Sequence, residues 1–295
     1  MKKYKIIWPI TIILVLIVAW NIFENENKIN ISIETMKYIS TTVDEKSKGK
    51  AQVNWKNVAS VIAAEHDLMD VSTDSIEKTV NLFIEKQDDK YIVKSLDDVT
   101  NSLHFSNKQL KTVELYKTYF DKKGVFTSRM SEDSIHKKFI ASIENAAKTN
   151  FEKTGILPSI TIAQAILESD WGRSKLAVEY KNLFGIKGHN WNGETASLNT
   201  NEFYDKEIKA EFRVYDSITD SINDHGVFLM DNPRYKKHGL FESKTYLEQA
   251  MSLHNANYST AENEKGEKIY SELLVQLIKQ YQLQLIDSQV YEKYN

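Results

Sequence analysis

The stretch Gln164-Ala165-Ile166-Leu167-Glu168-Ser169-Asp170-Trp171-Gly172 decides the fold of the C-terminal half of the chain. It closes an apolar run that opens with Pro158 and Ser159, which are residues typical of a first helical turn. Gly172 lies where helices commonly end. The sequence therefore predicts a helix over 160–169, with Gln164 and Glu168 four residues apart on one edge.

Glu168 is the candidate catalytic residue of this stretch. Its carboxyl group stands at a helix end beside Trp171, where partial desolvation is expected. Desolvation raises the pKa of a carboxyl group, which suits a general acid that protonates a glycosidic oxygen. A solvated helix glutamate has the same spacing, so the pattern alone leaves both interpretations open.

The residues on both sides of this stretch predict one domain over 131–288. Ile208, Ala210, Phe212 and Val214 alternate with polar residues, which indicates a half-buried strand. Its expected hairpin partner runs over 198–204. Further helices are predicted at 134–151, 217–230, 245–253 and 265–283.

Four segments of this domain resemble signatures of glycoside hydrolase family 73, the bacterial endo-β-N-acetylglucosaminidases. In chain order they are Gln164–Gly172, Asn182–Lys187, Ala210–Ser217 and Asn232–Tyr235. They follow the family's order and roughly its spacing, from about residue 134 to 285. The N-terminal half of the chain is not covered by this resemblance.

The resemblance implies a mainly α (α+β) lysozyme-like fold, with a helical lobe and a small β-hairpin lobe that closes the cleft. The implied substrate is the glycan of peptidoglycan, cut at the β-1,4 bond after N-acetylglucosamine with Glu168 as general acid. The family also implies a second carboxylate in the hairpin, for which Glu202 is the best positional match. Glu194, Glu207 and Glu211 remain alternatives.

A second carboxylate can activate water across the sugar ring or stabilise an oxocarbenium-like transition state, and the substrate's own acetamido group is a third route. The candidate substrate contacts are Gln164, Trp171, Phe184, Tyr235 and Tyr258. Around Tyr258 the family pattern is Tyr-Ala-Thr-Asp, whereas this chain has Ser259 and Ala261. That departure leaves a packing role for Tyr258 open. Stacking on sugar faces is a further possibility for Trp191 and Phe203.

The N-terminus predicts a transmembrane anchor over 1–23. Three lysines among the first five residues precede an uncharged apolar run, Ile6–Phe23, which is long enough to cross a bilayer as a helix. The lysines predict a cytoplasmic N-terminus, so the catalytic domain would be extracellular and face the cell wall from the cell membrane. The alternative is a cleaved signal peptide, which needs small residues at its cleavage site, but bulky residues surround Ala19.

Two segments separate the anchor from the catalytic domain. Residues 24–52 are polar and weakly patterned, which predicts a stalk with a short helix near 35–39. Residues 53–130 have helical spacing and predict a small helical module that packs on the catalytic domain or docks a membrane-protein partner. No wall-binding repeats follow the last predicted helix, so the anchor is expected to localise the enzyme.

Composition excludes several other classes of protein. The 295 residues contain no cysteine, which excludes disulfides and cysteine metal sites. A net charge of −3 argues against a nucleic-acid binder. The histidines lack metal-ligand spacing, so neither metal nor cofactor is predicted. Two alternatives to a hydrolase remain: a lytic transglycosylase, and a non-catalytic binder of wall glycan or scaffold for membrane cell-wall assembly proteins.

Overall fold

The computed structural model describes residues 29–66, 68–122, 134–202 and 206–292, without the side chains of 200–202 and 206–208. These residues divide into two compact units. Unit 1 comprises 29–46, 53–85 and 94–122, and unit 2 comprises 47–52, 86–93 and the described residues from 134 onward. The predicted anchor over 1–23 lies outside the described residues. Among those described, no helix combines the length and apolarity that a membrane crossing requires.

Unit 1 is built from helices. They are α1 (Ile33–Ser47, whose last residue already counts to unit 2), α2 (Trp55–Glu65), a 3-10 turn (Leu68–Asp70), α3 (Thr73–Phe83), α4 (Leu96–Ser102) and α5 (Asn107–Lys122). Trp55 is fully buried and meets Phe120 edge-on, with 5.3 Å between the ring centroids. The side chains of Asn54, Ser72 and Ser95 cap three of these helices. The helical spacing of residues 53–120 thus corresponds to α2, α3, α4 and α5.

Two elements of this half differ from the sequence-based expectation. The segment predicted as a stalk with a short helix near 35–39 contains α1, a helix that includes those residues but is 15 residues long. Its Met36, Ile39 and Val43 are buried, and their spacing forms one helical stripe that the polar composition conceals. In addition, the helical module contains a short hairpin that was not predicted, formed by β1 (Ile84–Gln87) and β2 (Lys90–Val93) between α3 and α4.

Unit 2 is mainly helical with a second hairpin. Its elements from residue 134 are α6 (Ile135–Thr154), α7 (Pro158–Ser169), α8 (Lys175–Tyr180), β3 (Thr195–Glu202), β4 (Lys206–Arg213), α9 (Ile218–Asp231), α10 (Pro233–Lys237), α11 (Tyr246–Asn255), α12 (Tyr270–Tyr281) and α13 (Gln284–Glu292). Helix α7 lies in the middle, packed against α6, α11, α12 and α13. Residues 158–166 of α7 are all buried, which explains why its sequence is apolar nearly all round.

The predicted hairpin is confirmed as the antiparallel pair β3–β4. Leu198 pairs with Ala210, and Glu202 at the end of β3 pairs with Lys206. Residues 203–205, between the strands, lie outside the described part of the chain.

The N-terminus of α7 is capped from a distant element. Pro158 occupies the first helical position, and the preceding Leu157 provides no side-chain cap. Instead, the buried carboxylate of Asp287 in α13 accepts hydrogen bonds from Ser159 N (2.9 Å) and Ser159 Oγ (2.6 Å). A carboxylate here satisfies a free helix N–H and complements the positive end of the helix dipole. Helix α13, which begins after the last helix predicted from the sequence (265–283), therefore supports the helix that carries Glu168.

Candidate active site

Glu168 lines a cleft of about 760 Å³ in unit 2. The loop after α8 contributes Phe184 and Lys187 to the wall, and β4 contributes Arg213. Arg234, Tyr235 and Tyr258 also belong to the lining. The cleft therefore joins residues from all four segments that sequence analysis singled out.

The Glu168 carboxyl group is held by a tyrosine that local patterning did not identify. Tyr270 Oη donates a hydrogen bond to Glu168 Oε1 at 3.2 Å, and Gln164 Nε2 donates one to Tyr270 Oη at 3.0 Å. Gln164 is fully buried. The structure thus places this predicted substrate contact beneath Tyr270, where it orients the residue that holds Glu168.

Desolvation by the surrounding protein raises the pKa of Glu168, and the hydrogen bond from Tyr270 partly opposes this rise. The residue as a whole remains exposed at the cleft surface, so solvent screening limits the size of the shift. A carboxyl group with a raised pKa retains its proton to higher pH, as a general acid requires.

We expect Tyr270→Phe to move the alkaline limb of the kcat/KM–pH profile to higher pH. The variant removes the hydrogen bond that favours ionised Glu168, so the pKa of the free enzyme's acid rises and the protonated form persists further. The profile is to be compared with that of Tyr180→Phe, a tyrosine outside the cleft lining. A limb that moves to lower pH would contradict the assignment of Tyr270 to the catalytic acid.

The chain turns sharply after Glu168. Asp170, Trp171 and Gly172 all have left-handed backbone angles, with φ of 48°, 61° and 72°. Gly172 N donates to Ser169 Oγ at 2.7 Å, and an added Cβ at Gly172 would lie 2.6 Å from the Phe139 ring. This position therefore requires glycine on two grounds, backbone angle and space.

Trp171 lies in an aromatic cluster next to this turn. Its ring stacks on His136 at 4.0 Å and meets Tyr281 edge-on at 4.9 Å. It is not among the residues that line the cleft. The structure thus places this predicted substrate contact where it fixes the path of the chain behind Glu168.

The loop that carries Phe184 is organised by Asn182, which is 1% exposed. Asn182 Nδ2 donates to Ile186 O at 3.0 Å and to Arg213 O at 2.9 Å, while Oδ1 accepts from Ile186 N at 3.1 Å. One amide thereby closes the loop and ties it to β4. These hydrogen bonds give Asn182, the first residue of the second sequence signature, a structural role.

We expect Asn182→Ala to lower the free energy of unfolding of unit 2 by about 2–3 kcal/mol, because three hydrogen bonds are lost and buried backbone groups stay unpaired. The loop that carries Phe184 is expected to loosen, and kcat/KM to fall with it. Thermal unfolding and glycan cleavage measure the two effects. Asn145→Ala, at an exposed position of α6, is the matched control, and equal behaviour of the two variants would contradict the prediction.

The predicted tyrosines come together on one wall of the cleft. The ring of Tyr258 stacks on Tyr270 at 5.2 Å and 19°, and Tyr235 lies 6.1 Å from Tyr258. Arg234 donates to Tyr235 Oη at 2.8 Å and covers its ring. Burial, followed by the charge of Glu168, raises the pKa of Tyr258, so its hydroxyl stays protonated.

The predicted second carboxylate belongs to the hairpin of β3 and β4. Glu202 is the last residue of β3, opposite Lys206, and its side chain is not described; the same holds for the side chain of Glu207. Neither Glu194 nor Glu211 lines the cleft. Hydrogen bonds from Thr195 and Ser197 lower the pKa of Glu211, which is therefore a bonded carboxylate on the hairpin. Glu202 stays a prediction.

The base of the hairpin is fixed by a charged pair that the sequence pattern did not reveal. Arg213 Nη1 donates to both carboxylate oxygens of Asp224, at 2.9 and 2.8 Å, and Tyr215 Oη donates to Asp224 at 2.6 Å. The guanidinium also lies 4.6 Å from the Trp191 ring centroid. These contacts tie β4 to α9, so the hairpin keeps its place beside the cleft.

Within the residues that the structure describes, no three acidic or histidine side chains gather as metal ligands.

Comparison with known proteins identifies the region that contains this cleft. Residues 144–283 match the family described as mannosyl-glycoprotein endo-beta-N-acetylglucosaminidase. This part of the chain is a glucosaminidase domain. The match encloses all four segments, and Asp287 lies just beyond its end.

Several curated proteins share this domain. The chain is 36% identical over 155 residues to exo-glucosaminidase LytG of Bacillus subtilis, covering 50% of this chain and 52% of LytG. It is 33% identical over 159 residues to peptidoglycan hydrolase FlgJ of Salmonella typhimurium, covering 51% of this chain and 47% of FlgJ. Among solved structures, the catalytic domain of the autolysin Auto from Listeria monocytogenes is 30% identical, with a TM-score of 0.47 over 62% of this chain and 98% of that one. The chain thus spans about half the length of the curated relatives it matches.

Proposed function

We propose that this protein is a peptidoglycan hydrolase that cuts the β-1,4 bond after N-acetylglucosamine in cell-wall glycan strands, without a cofactor. The observation that carries the proposal is the Glu168 carboxyl group, which is exposed to an open cleft, has a raised pKa and is held by Tyr270. The match of residues 144–283 to a glucosaminidase family supports the same reaction class. A lysozyme-like fold is part of this proposal.

In the proposed reaction, Glu168 gives its proton to the glycosidic oxygen as the bond to the anomeric carbon breaks. The positive charge that develops on the sugar needs an anionic or nucleophilic partner on the other face. Glu202 is the proposed protein partner, and the substrate's acetamido oxygen is the alternative. The cleft is open and lined with polar groups such as Lys187 and Arg213, which suits an extended hydrophilic chain better than a small apolar ligand.

The bond that is cut requires a direct test, because relatives of similar identity carry different names. LytG is named an exo-glucosaminidase, whereas a relative from Lactococcus lactis, 35% identical over 158 residues, is named a probable N-acetylmuramidase. A lytic transglycosylase would need only one acid and is the second enzymatic candidate. A glycan binder or scaffold is the non-enzymatic one, and a carboxyl group with a raised pKa in an open cleft argues against it.

The test is to digest purified peptidoglycan with the full chain in detergent, reduce the products with borohydride and identify the new chain ends by mass spectrometry. Reduced N-acetylglucosamine ends, absent from a Glu168→Gln digest, are the expected result. Reduced muramic ends or anhydro-muramic ends would replace the proposal with a muramidase or a transglycosylase. Glycan binding without any new ends would favour the binder.

We also propose a single-pass location in the cell membrane, with a cytoplasmic N-terminus and the catalytic domain facing the wall. The proposal rests on the lysines at 2, 3 and 5 and the apolar run Ile6–Phe23. The full chain is expected in the membrane fraction after a carbonate wash, and a chain without residues 1–23 is expected to leave it. An N-terminus cleaved near Ala19, seen by mass spectrometry, would instead establish a signal peptide.

Residues 53–130 are proposed to dock a membrane-protein partner. Crosslinking in intact cells, with and without this segment, is the test. A crosslinked membrane protein that persists after the segment is deleted would contradict the proposal.

A further inference from the structure

His225 is a buried titratable residue that the proposed reaction does not use. It lies on α9, has no exposed surface, and its ring stacks flat on Phe184 at 3.8 Å and 9°. Its Nε2 lies 3.3 Å from Tyr258 Oη. Its Nδ1 is buried and has no hydrogen-bond partner within the described part of the chain.

The ring is neutral, because burial lowers the pKa of His225 to about 3. A neutral imidazole carries its proton on one nitrogen only, and the hydrogen bonds around the ring decide which one. A proton on Nδ1 would leave a buried N–H donor without an acceptor, which is rare in folded proteins. A proton on Nε2 is instead donated to Tyr258 Oη, and only a lone pair stays unpaired.

This tautomer determines what the Tyr258 hydroxyl does. When Oη accepts from His225 Nε2–H, the hydroxyl proton is not used by His225 and is available to the cleft that Tyr258 lines. With the other tautomer, Tyr258 would donate its proton into the protein interior. The choice of tautomer therefore decides whether the cleft contains a hydrogen-bond donor at this point.

The position of this donor relates it to the catalytic acid. The Tyr258 ring stacks on Tyr270, whose hydroxyl bonds Glu168. Phe184 in turn covers the face of His225, so the imidazole has a fixed plane. The acid and the Tyr258 hydroxyl thus belong to one packed wall that runs from α7 through residues 258 and 270 to α9.

We propose that His225 is a positioning residue. By donating to Tyr258 Oη, it directs the hydroxyl proton of Tyr258 towards an acceptor oxygen of the N-acetyl sugar bound beside Glu168. The acetamido carbonyl oxygen is the strongest neutral acceptor on such a sugar and is the assigned partner. This inference rests on the proposed function, since it names a contact to the same substrate.

Two substitutions separate this role from packing. His225→Phe retains a flat ring against Phe184 and removes both nitrogens. His225→Gln places an amide N–H near the former Nε2. We expect His225→Phe to lower kcat/KM by about tenfold or more, which is the effect of losing one hydrogen bond to the transition state. His225→Gln is expected to recover most of this loss.

A double-mutant cycle with Tyr258→Phe gives the decisive comparison. If His225 acts through the Tyr258 hydroxyl, the double variant His225→Phe/Tyr258→Phe is no slower than Tyr258→Phe alone. Losses that multiply, together with no recovery in His225→Gln, would overturn the proposal and leave His225 as a packing residue. Thermal unfolding of each variant shows whether the fold is retained.

A second readout needs neither a variant nor activity. The ¹⁵N chemical shifts of His225 in the wild-type full chain identify the tautomer, and the proton is expected on Nε2. A proton on Nδ1 would overturn the proposal. If the wild type cuts no glycan, the proposed function fails by itself. The tautomer and the affinity of the same variants for N-acetylglucosamine trimer then still decide the inference.

Discussion

Glu168→Gln is expected to lower kcat for glycan cleavage by about 10³-fold, the usual contribution of a positioned general acid. Glutamine has nearly the same size and still accepts the hydrogen bond from Tyr270 through its carbonyl oxygen. It cannot give a proton to the leaving oxygen. The release of reducing ends from purified peptidoglycan measures the rate, and KM is expected to change little because the shape of the cleft is retained.

The matched control is Glu264→Gln, at an exposed position outside the cleft lining. It is expected to match the wild type in both rate and stability. A Glu168→Gln variant with more than a tenth of the wild-type rate would show that another group supplies the proton.

Thermal unfolding shows whether Glu168→Gln loses activity because the acid is missing or because the protein is destabilised. The pKa of Glu168 is raised in the fold above its ordinary value of 4.5, because burial penalises the charged form. The folded state therefore binds this proton more tightly, and the contribution of Glu168 to stability falls as pH rises from 4.5 through the folded pKa. Glutamine has no such penalty, so Glu168→Gln is expected to unfold at a temperature equal to or above that of the wild type at pH 7. The difference should vanish below pH 4.5.

The helix that carries the acid could be predicted because its signals are local. Pro158 at the start, the apolar run and Gly172 after the end all lie within one short stretch. The hairpin was predictable for the same reason, since alternation along β4 is visible in the residues themselves. Local periodicity reports the environment of a segment, and these segments have one consistent environment each.

The partners of Glu168 were not predictable in this way. Tyr270 lies 102 positions from Glu168 in sequence, and no spacing rule links a tyrosine on α12 to a carboxyl group on α7. Sequence analysis predicted Gln164 and Trp171 as substrate contacts, whereas the structure places Gln164 beneath Tyr270 and Trp171 against His136. A motif records which residues are needed together, and it does not distinguish those that line the cleft from those that support it.

Helix α1 shows a different limit of structure prediction from sequence. Its buried stripe of Met36, Ile39 and Val43 is narrow, and lysines, threonines and acidic residues surround it. Average composition therefore suggests a solvated stalk, while the spacing of three residues determines the helix and its buried face. Composition is a weaker guide than periodicity wherever only one narrow face is covered.

The second large effect is expected at the other end of the catalytic helix. Asp287→Ala should lower the free energy of unfolding of unit 2 by about 3 kcal/mol, because two hydrogen bonds to a charged acceptor are lost. The buried N–H and hydroxyl of Ser159 would then have no acceptor, and the helix dipole would lose its negative partner. Thermal unfolding should show a decrease of roughly 6–12 °C in Tm.

Asp287→Asn tests whether the charge itself matters. Its amide oxygen can still accept from Ser159 N, so its Tm is expected to lie between those of Asp287→Ala and the wild type. Asp216→Ala, at an exposed position, should leave Tm unchanged. If Asp287→Ala unfolds within a degree of the wild type, the N-terminus of α7 does not depend on this carboxylate.

The position of Asp287 makes this a functional prediction as well. The residue lies beyond 283, where the match to the glucosaminidase family ends, yet it fixes the first turn of the helix whose last turn carries Glu168. Because the two ends share one rigid α-helix, release of the first turn is expected to lower kcat/KM at temperatures well below Tm. A chain truncated after Leu283 should behave like Asp287→Ala or worse, and a fully active truncated chain would show that the catalytic helix is held without α13.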